Sequence, residues 1–308
     1  MTTALITHPD CLDHVNPPGH PEQVARLERI LAALDGKDLM RVAAPMAAED
    51  DLLRVHPQAH IDAVRAASPV EGWSQLDGDT FMSPGSLSAA WRAVGAGTRA
   101  VDLVMSGEAG NAFCACRPPG HHAEAEKPMG FCLFGSLAVA AKYALDHHGL
   151  RRVAIVDFDV HHGNGTQALL EGDARVLFCS SHQMPLFPGT GYPDETGVAD
   201  NVVNVPLRHG AGSAEFRAVM ETTILPAVDR FAPELLLVSA GFDAHQADPL
   251  AGIRLSTRDF TWITEKLCDL ADTHCQGRLV SNLEGGYDLD ALAEATAAHV
   301  DTLIARAA

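Results

Sequence analysis

The sequence contains no C-x-x-C pair, and its seven cysteines lack the spacing of a four-cysteine zinc site. An odd number of cysteines also argues against a disulfide framework. Cys114, Cys132 and Cys179 lie in apolar runs, where free thiols are usually buried in reduced proteins. The cysteines therefore predict a reduced core and a cytoplasmic location.

Long apolar runs are also absent. No stretch approaches the ~18 apolar residues that a membrane-spanning helix needs, and residues 1–9 lack a basic segment followed by an apolar one. The chain shows no Pro/Gly/Ser-rich linker, internal repeat or abrupt change of composition. We therefore expect no membrane partner and a single domain over residues 1–308.

Basic residues are few compared with acidic ones. The chain has 22 Lys and Arg against 40 Asp and Glu, which gives a net charge of −18. Because an acidic surface repels phosphate backbones, the composition argues against nucleic acid as a partner. It mildly favours cationic partners such as lysine-rich segments or amines, although such a charge also serves solubility.

The sequence does contain a regular alternation of short apolar runs with longer helical patterns. Runs without polar alternation are typical of parallel strands covered on both faces. The predicted strands are residues 112–116, 153–156, 176–179, 202–205, 235–239 and 279–283. The predicted helices are residues 22–34, 136–147, 214–229 and 257–273, the last with Ser256 as N-cap. This alternation predicts a three-layer α/β domain in which helices flank a mostly parallel central sheet.

Polar clusters follow five of these strands directly. They occupy residues 117–123, 157–164, 180–182, 241–249 and 284–287. Ligands of open parallel sheets bind outside the carboxyl ends of the strands. We therefore expect the five clusters to converge on one active cleft.

Asp159 and His161 form a candidate metal site. On an extended segment, residues i and i+2 point to the same side, so this carboxylate and imidazole can face one ion. The third ligand must come from elsewhere, and Asp248, after the 235–239 strand, is the natural candidate. Three protein ligands with an open position are typical of catalytic zinc, although Fe2+ or Mn2+ also accept such ligands.

His121 and His122 follow a stiff Arg-Pro-Pro-Gly turn. Metal-assisted hydrolysis needs a base for the attacking water and an acid for the leaving amine, and an imidazole serves as either. Asp157 and Asn164 are available to fix the tautomers of the two rings. Tyr287 follows Gly-Gly at a strand end, where its hydroxyl can donate to a developing oxyanion.

Each of these features has a simpler interpretation when taken alone. An Asp-x-His pair is more often a hydrogen-bonded strand end than a metal site, and a tyrosine in a turn more often packs than reacts. The pair His147-His148 follows a predicted helix and is interpreted as a chance surface pair. The strand-end setting is what favours a catalytic interpretation of the other residues.

Together these motifs resemble the histone deacetylase family, which has the arginase–deacetylase fold. The resemblance covers nearly the whole chain, in family order. The matching segments are H-P-E-x-x-x-R at 20–26, R-P-P-G-H-H-A at 117–123, G-F-C at 130–132, D-F-D-V-H-H-G-N-G-T-Q at 157–167, F-P-G-T-G at 187–191, G-F-D-A at 241–244, D-P-L at 248–250 and E-G-G-Y at 284–287. The segment H-H-G-N-G-T-Q, with Asn164, resembles class II enzymes, whereas F-P-G-T-G also occurs in class I members. The resemblance to the two subclasses is therefore mixed.

The resemblance implies a role for each matching residue. It implies zinc ligation by Asp159, His161 and Asp248, catalysis by His121, His122 and Tyr287, support of the histidines by Asp157 and Asn164, and a channel that includes Gly130, Phe131, Phe187 and Leu255. It also implies a structural potassium site at Asp157, Asp159, His161, Ser180 and Ser181, and places Arg26 near an internal exit channel. In the family the second histidine performs most of the acid–base work.

The implied reaction is removal of an acyl group from a lysine side chain of a peptide or protein. The alternative is a small-molecule amidohydrolase, such as an acetylpolyamine deacetylase. Family polyamine deacetylases tend to carry an acidic gatekeeper seven residues after the last zinc ligand, and Leu255 at that position favours acyl-lysine.

The full set of ligands, histidines and tyrosine opposes a non-catalytic acyl-binding module. An arginase-like enzyme would need further carboxylates to bridge two Mn2+ ions. Loops 77–83 and 192–197 are expected to shape the entrance.

Overall fold

Eight parallel strands form the central sheet of the computed structural model, which describes residues 1–307. Within these residues the strands are β1 (Thr3–Thr7), β2 (Met40–Ala43), β3 (Ser74–Gln75), β4 (Phe81–Met82), β5 (Asn111–Cys114), β6 (Val153–Asp157), β7 (Val176–Gln183), β8 (Val202–Leu207), β9 (Leu235–Ala240) and β10 (Leu279–Leu283). The order along the sheet is β2-β1-β5-β10-β9-β6-β7-β8, with every neighbouring pair parallel. The short strands β3 and β4 pair separately and are antiparallel.

The inner strands β5, β10, β9, β6 and β7 are buried at every residue. Helices cover both faces of the sheet, so apolar side chains occupy both sides of each strand and no polar alternation is seen. The six predicted strands are confirmed, with small differences at their ends. The largest difference is in β7, which continues through Ser180, Ser181 and His182. These residues therefore lie inside the strand, whereas the sequence analysis places them after it.

Helices form the two outer layers. Within the described residues they are α1 (Val24–Ala33), α2 (Glu49–Leu52), α3 (Gln58–Ala67), α4 (Ser86–Ser106), α5 (Ser136–His147), α6 (Asn164–Leu170), α7 (Ser213–Val219), α8 (Leu225–Phe231), α9 (Thr257–His274) and α10 (Leu289–Arg306). One group of helices is formed by α5 with its neighbours α4 and α6. In the second group, α1 contacts α10, α10 contacts α9, and α9 contacts α8. The parallel sheet flanked by helices confirms the predicted three-layer α/β fold.

The predicted helices are present with local changes. Ser256 caps α9 as predicted, and Asp259 Oδ2 accepts the Ser256 backbone N–H at 2.9 Å, as the acid of a capping box does. The helix predicted over residues 214–229 is interrupted by a π-helical turn, Met220–Ile224, between α7 and α8. No helix within residues 1–307 is long and apolar enough to cross a membrane.

The sheet order explains why the polar clusters meet. The five strands that precede them, β5, β10, β9, β6 and β7, are consecutive neighbours in the sheet. Because these strands are parallel, their carboxyl ends share one edge. The register aligns Asp157 at the end of β6 with Ser180 of β7 and Ser239 of β9. One edge of the sheet therefore gathers most of the chemically reactive side chains.

Candidate active site

Asp159, His161 and Asp243 bring three candidate metal-ligand atoms together beyond the ends of β6 and β9. These atoms lie within 4.8 Å of one another, and all three residues are buried. His161 Nδ1 is 3.2 Å from Asp159 Oδ1 and 3.1 Å from Asp243 Oδ2. Two carboxylates and one imidazole around a single point suit zinc or ferrous iron.

Asp248, the predicted third ligand, lies outside this group. Its Oδ1 accepts the backbone N–H of Leu250 at 3.0 Å, and its Oδ2 accepts that of Tyr287 at 2.7 Å. Its carboxylate therefore holds the turn after β10, and Asp243 is the second acid of the candidate cluster. Asp243 comes three residues after the end of β9 and Asp248 eight. Distance from the strand end is the signal that could have distinguished the two acids.

Two glycines make room for the carboxylates. A Cβ atom on Gly241 would lie 2.0 Å from Asp159 Oδ2, and one on Gly285 would lie 2.2 Å from Asp243 Oδ2. Each carboxylate also accepts a backbone N–H at 2.8 Å. A larger residue at either glycine would displace the acids, so the backbone itself shapes the site.

Hydrogen bonds orient the tandem histidines. His121 Nδ1 lies 3.0 Å from Asp157 Oδ2, and His122 Nδ1 lies 2.8 Å from Asn164 Oδ1. These are the pairs that the resemblance implies. The carboxylate and the amide oxygen can only accept, so each Nδ1 carries a proton. In a neutral imidazole this leaves Nε2 as the proton acceptor.

The two histidines titrate in opposite directions. Burial lowers the pKa of His121, but the charges of Asp159 and Asp157 outweigh burial and raise that pKa to about 10. Burial and the positive charges of His121 and His161 hold the pKa of His122 well below its ordinary value. At neutral pH His121 is therefore cationic, whereas His122 is neutral and able to accept a proton.

Two glutamates that the sequence analysis does not assign support this pair. Glu284 Oε2 accepts the backbone N–H groups of Gly120 at 2.7 Å and His121 at 3.1 Å. Glu124 Oε1 accepts from Asn164 Nδ2 at 2.7 Å, which fixes the amide so that its oxygen faces the second histidine. Glu284 is the first residue of the E-G-G-Y motif and Glu124 directly follows the R-P-P-G-H-H-A motif, and these positions are the signal that could have found them.

Tyr287 is held in place from behind by Arg26. The Arg26 guanidinium lies 4.9 Å from the centre of the Tyr287 ring and donates to the carbonyl oxygens of Glu284 and Gly286 at 2.5 Å. Burial raises the pKa of Tyr287 well above its ordinary value, so its hydroxyl remains a hydrogen-bond donor. Arg26, expected near an internal channel, here braces the turn that carries the tyrosine.

A cavity of about 550 Å³ is lined by His122, by His161 of the metal-ligand cluster and by Tyr287. Phe131 and Phe187, the predicted channel walls, line this cavity, and the Phe187 ring lies 5.1 Å from that of His122. Gly130 also lines it, with a φ of +54°, and a Cβ there would lie 2.5 Å from His122 Cδ2. Glycine is therefore required for the close approach of the His122 ring. Tyr287 lines the same cavity.

Leu255, the predicted channel residue, lies outside this cavity. It is fully buried, and its backbone bonds to Ala244 and Gln246 at 3.0 and 2.8 Å. The gatekeeper position depends on which acid is the last metal ligand, because counting seven residues from Asp243 leads to Leu250. Leu250, which is also a neutral leucine, lines the cavity.

The entrance loops contribute unequally. In the 77–83 loop, Gly78, Asp79 and Phe81 line the cavity as predicted, together with His20. Among the described residues, those of the 192–197 loop do not line it. Glu195 instead anchors the segment that carries Phe187.

The predicted potassium residues lie on β6 and β7. Asp157 is aligned with Ser180, whose Oγ is 3.0 Å from His182 Nδ1. Ser181 Oγ is buried, with no hydrogen-bond partner among residues 1–307. A buried hydroxyl without a protein partner is uncommon, and a bound ion would satisfy it.

This combination of a parallel α/β sheet, a buried Asp/His/Asp cluster and tandem histidines beside a tyrosine defines a hydrolase with a candidate metal centre. Residues 20–303 match the family model of the histone deacetylase domain. The chain belongs to the histone deacetylase family. Family membership places it among deacetylases and related amidohydrolases.

Individual relatives agree with this assignment. The chain is 37% identical to a probable deacetylase of Archaeoglobus fulgidus, over 94% of this chain and 82% of the relative. It is 41% identical to a histone deacetylase-like amidohydrolase of Pseudomonas aeruginosa, over 89% of this chain and 74% of the relative. Its structure is similar to the crystal structure of the HDA15 HD domain, with a TM-score of 0.93 at 34% identity over 99% of this chain and 88% of the other.

Proposed function

We propose that this protein is a zinc-dependent deacylase that hydrolyses the amide of acyl-lysine side chains. The observation that carries the proposal is that His122, His161 and Tyr287 line one cavity together with Phe131 and Phe187. Aromatic walls grip an apolar acyl-amine chain, while the polar groups meet the amide at its end.

The proposed metal ligands are Asp159, His161 and Asp243. These residues fit a divalent cation because their three ligand atoms converge on one point. Gly241 and Gly285 leave room for the two buried carboxylates to lie close together. Burial and the charge of Asp159 raise the pKa of Asp243 to about 7. The two neighbouring carboxylates repel each other, and a bound cation would relieve that repulsion. When bound, zinc supplies Lewis acidity for water activation and carbonyl polarisation, and Fe2+ is the alternative ion.

His122 is the proposed general base and acid. Its Nδ1 proton is held by Asn164, so Nε2 can take a proton from the attacking water and return it to the leaving amine. His121, beside Asp157, stays protonated and contributes positive charge. This division of labour matches the one that the family resemblance implies.

Tyr287 is the proposed donor to the carbonyl oxygen. The residue lines the cavity shared with His122, and Arg26 and Phe131 fix the plane of its ring. We expect Tyr287→Phe to lower kcat by about 10²–10³-fold, with little change in KM or metal content. Steady-state kinetics with elemental analysis test this, and an unchanged kcat would remove the tyrosine from the mechanism.

The substrate class rests on Leu250. A neutral leucine at the gatekeeper position offers no charge to the distal ammonium of a polyamine, which favours acyl-lysine. Asp79 favours the polyamine instead, because its carboxyl group also lines the cavity and could bind such an ammonium. An acylated small amine is therefore the second candidate substrate.

The deciding measurement is kcat/KM for an acetyl-lysine peptide against N-acetylputrescine with zinc-loaded protein. We expect the peptide to be preferred by at least about tenfold, and Leu250→Glu to shift the ratio towards the polyamine. A wild-type preference for N-acetylputrescine that Asp79→Asn removes would instead establish the second candidate.

Three further assignments accompany this proposal. The structural potassium site is supported by the unpartnered Ser181 Oγ next to the Asp157–Ser180 pair. A single catalytic domain over residues 1–308 is supported by one sheet that uses strands from Thr3 to Leu283. The cytoplasm is supported by seven buried free cysteines.

A further inference from the structure

Asp102, His147 and His148 form a second group of candidate metal ligands. One ligand atom from each residue lies within 4.8 Å of the others. Asp102 belongs to α4, His147 is the last residue of α5, and His148 caps that helix. The pair that the sequence analysis interprets as a chance surface pair is therefore completed by a carboxylate from a different helix.

This group and the candidate active site lie at opposite edges of the central sheet. Helix α4 ends at Ser106 shortly before β5 begins at Asn111, and α5 ends shortly before β6 begins at Val153. The carboxyl ends of both helices therefore lie at the edge where the strands start. The candidate active site lies at the opposite edge, where the strands end.

Neighbouring residues hold the donors in position. Tyr143 Oη donates to Asp102 Oδ1 at 3.0 Å, and His148 Nε2 lies 2.9 Å from the same oxygen. The Tyr143 ring stacks on that of His147, with centroids 4.7 Å apart and planes at 13°. Tyr143 thus orients both the carboxylate and one imidazole, the kind of support that metal ligands commonly receive.

The local electrostatics favour a cation. The carboxyl ends of α4 and α5 carry the negative ends of two helix dipoles. One positive group is close, because the Arg54 guanidinium lies 5.4 Å from the Tyr143 ring centre. Its charge is balanced by Asp51 and Asp146, at 3.4 and 3.1 Å.

We propose that Asp102, His147 and His148 bind a divalent transition-metal ion of the zinc class. Two imidazoles and one carboxylate are a common ligand set for zinc, and water would complete a tetrahedron on the open side. Because Asp102 and the two histidines come from different helices, the ion cross-links α4 and α5. This site is independent of the proposed catalytic function.

The test is zinc stoichiometry in protein without a polyhistidine tag. After incubation with excess Zn2+ and desalting, we expect two zinc ions per chain in the wild type. His147→Gln and His148→Gln should each retain one zinc ion and full deacetylase activity. Asp243→Asn should also retain one zinc ion, but should lose activity. Failure of the catalytic proposal and failure of this one are therefore separable.

A matched control is His274→Gln. His274, the last residue of α9, has its Nε2 2.8 Å from Asp229 Oδ1, and this His–Asp pair belongs to neither candidate metal group of the described residues. This variant should keep two zinc ions. In addition, Zn2+ should raise the Tm of Asp243→Asn but not that of the Asp243→Asn/His147→Gln double variant. A wild-type stoichiometry of one, or a second ion that survives both His147→Gln and His148→Gln, would overturn the proposal.

Discussion

Two acids on one loop, Asp243 and Asp248, have different tasks at the scale of single residues. Asp243 faces His161 Nδ1, whereas Asp248 accepts backbone N–H groups, including that of Tyr287. We expect Asp243→Asn to lose the active-site zinc and at least about 10²-fold in kcat/KM. Asp248→Asn should retain the zinc and lose about tenfold in kcat, because the tyrosine turn is less well anchored.

Elemental analysis and steady-state kinetics on the two variants distinguish these roles. Both are best studied with His147→Gln, so that zinc at the proposed second site does not contribute to the count. Loss of zinc in Asp248→Asn, with zinc retained in Asp243→Asn, would give the ligand role back to Asp248.

Glu124 affects catalysis indirectly, through Asn164 and His122. It fixes the Asn164 amide, and the amide fixes the Nδ1 proton of His122. We expect Glu124→Ala to lower kcat roughly tenfold with little change in KM, because the amide can then rotate. Glu124→Gln should restore most of the activity, since its side-chain oxygen can still accept from Asn164 Nδ2.

The matched control for Glu124 is Glu126→Ala, two residues away and exposed. It should leave kcat unchanged. Equal losses in the two alanine variants, or no rescue by glutamine, would mean that Glu124 serves general stability and not the orientation of His122.

At this scale the sequence predicts chemistry better than geometry. His121, His122, Asp159, His161 and Tyr287 could be predicted because they directly follow buried parallel strands, whose carboxyl ends are where ligands bind. The choice of the third acid depends on the path of the loop after β9, and sequence spacing does not determine that path. The predicted gatekeeper position depends on the same choice, since it is counted from that acid.

At the scale of elements, the segment between β7 and β8 carries one wall of the cavity, Phe187, and is anchored by Glu195. Glu195 Oε2 accepts from Gln167 Nε2 at 2.8 Å, and Oε1 accepts the Tyr192 N–H at 3.0 Å. We expect Glu195→Ala to raise KM about three- to tenfold with kcat nearly unchanged, because the wall becomes mobile while the catalytic groups stay in place.

Asp194→Ala is the control for this prediction, since Asp194 is the exposed neighbour of Glu195. Its KM should equal that of the wild type. A fall in kcat without a change in KM for Glu195→Ala would show that the segment acts on the catalytic groups and not on substrate binding.

Elements with a clear hydrophobic period could be predicted, and others could not. The stripe of α1 and the unbroken apolar runs of the inner strands are strong signals. Helix α4 is rich in alanine and glycine and is buried over most of its 21 residues, so its polar stripe, Ser88, Arg92, Arg99 and Asp102, is narrow. Strand β2 lies at the sheet edge, with partly exposed residues, and its pairing with β1 leaves no mark in its composition.

At the scale of the whole molecule, buried histidines make stability depend on pH. Burial lowers the pKa of His56, beside His60, to about 4, and it lowers that of His299 to about 3. The unfolded chain therefore binds more protons than the folded one below the ordinary histidine pKa of 6.5. Each of these groups contributes stability that is present above pH 6.5 and is lost as the pH falls towards its folded pKa.

From these pKa values we expect each of the two histidines to cost about 2 kcal/mol of unfolding free energy between pH 7 and pH 5. Urea denaturation at the two pH values measures the loss. His299→Gln should reduce the difference, whereas His209→Gln, at an exposed position, should leave it unchanged. A pH dependence that is identical in His299→Gln and the wild type would contradict the proposed role of the buried imidazole.

The last strand of the described chain is also one of the most central, since β10 lies between β5 and β9. A ribosome has therefore already synthesised both tandem histidines and all three proposed ligands of the active-site metal before it makes the strand that joins the two halves of the sheet. Until then the facing edges of β5 and β9 have unpaired backbone groups, which other chains can capture. We therefore expect a chain that is terminated before β10 to lack the joined sheet and to be inactive, not merely less active.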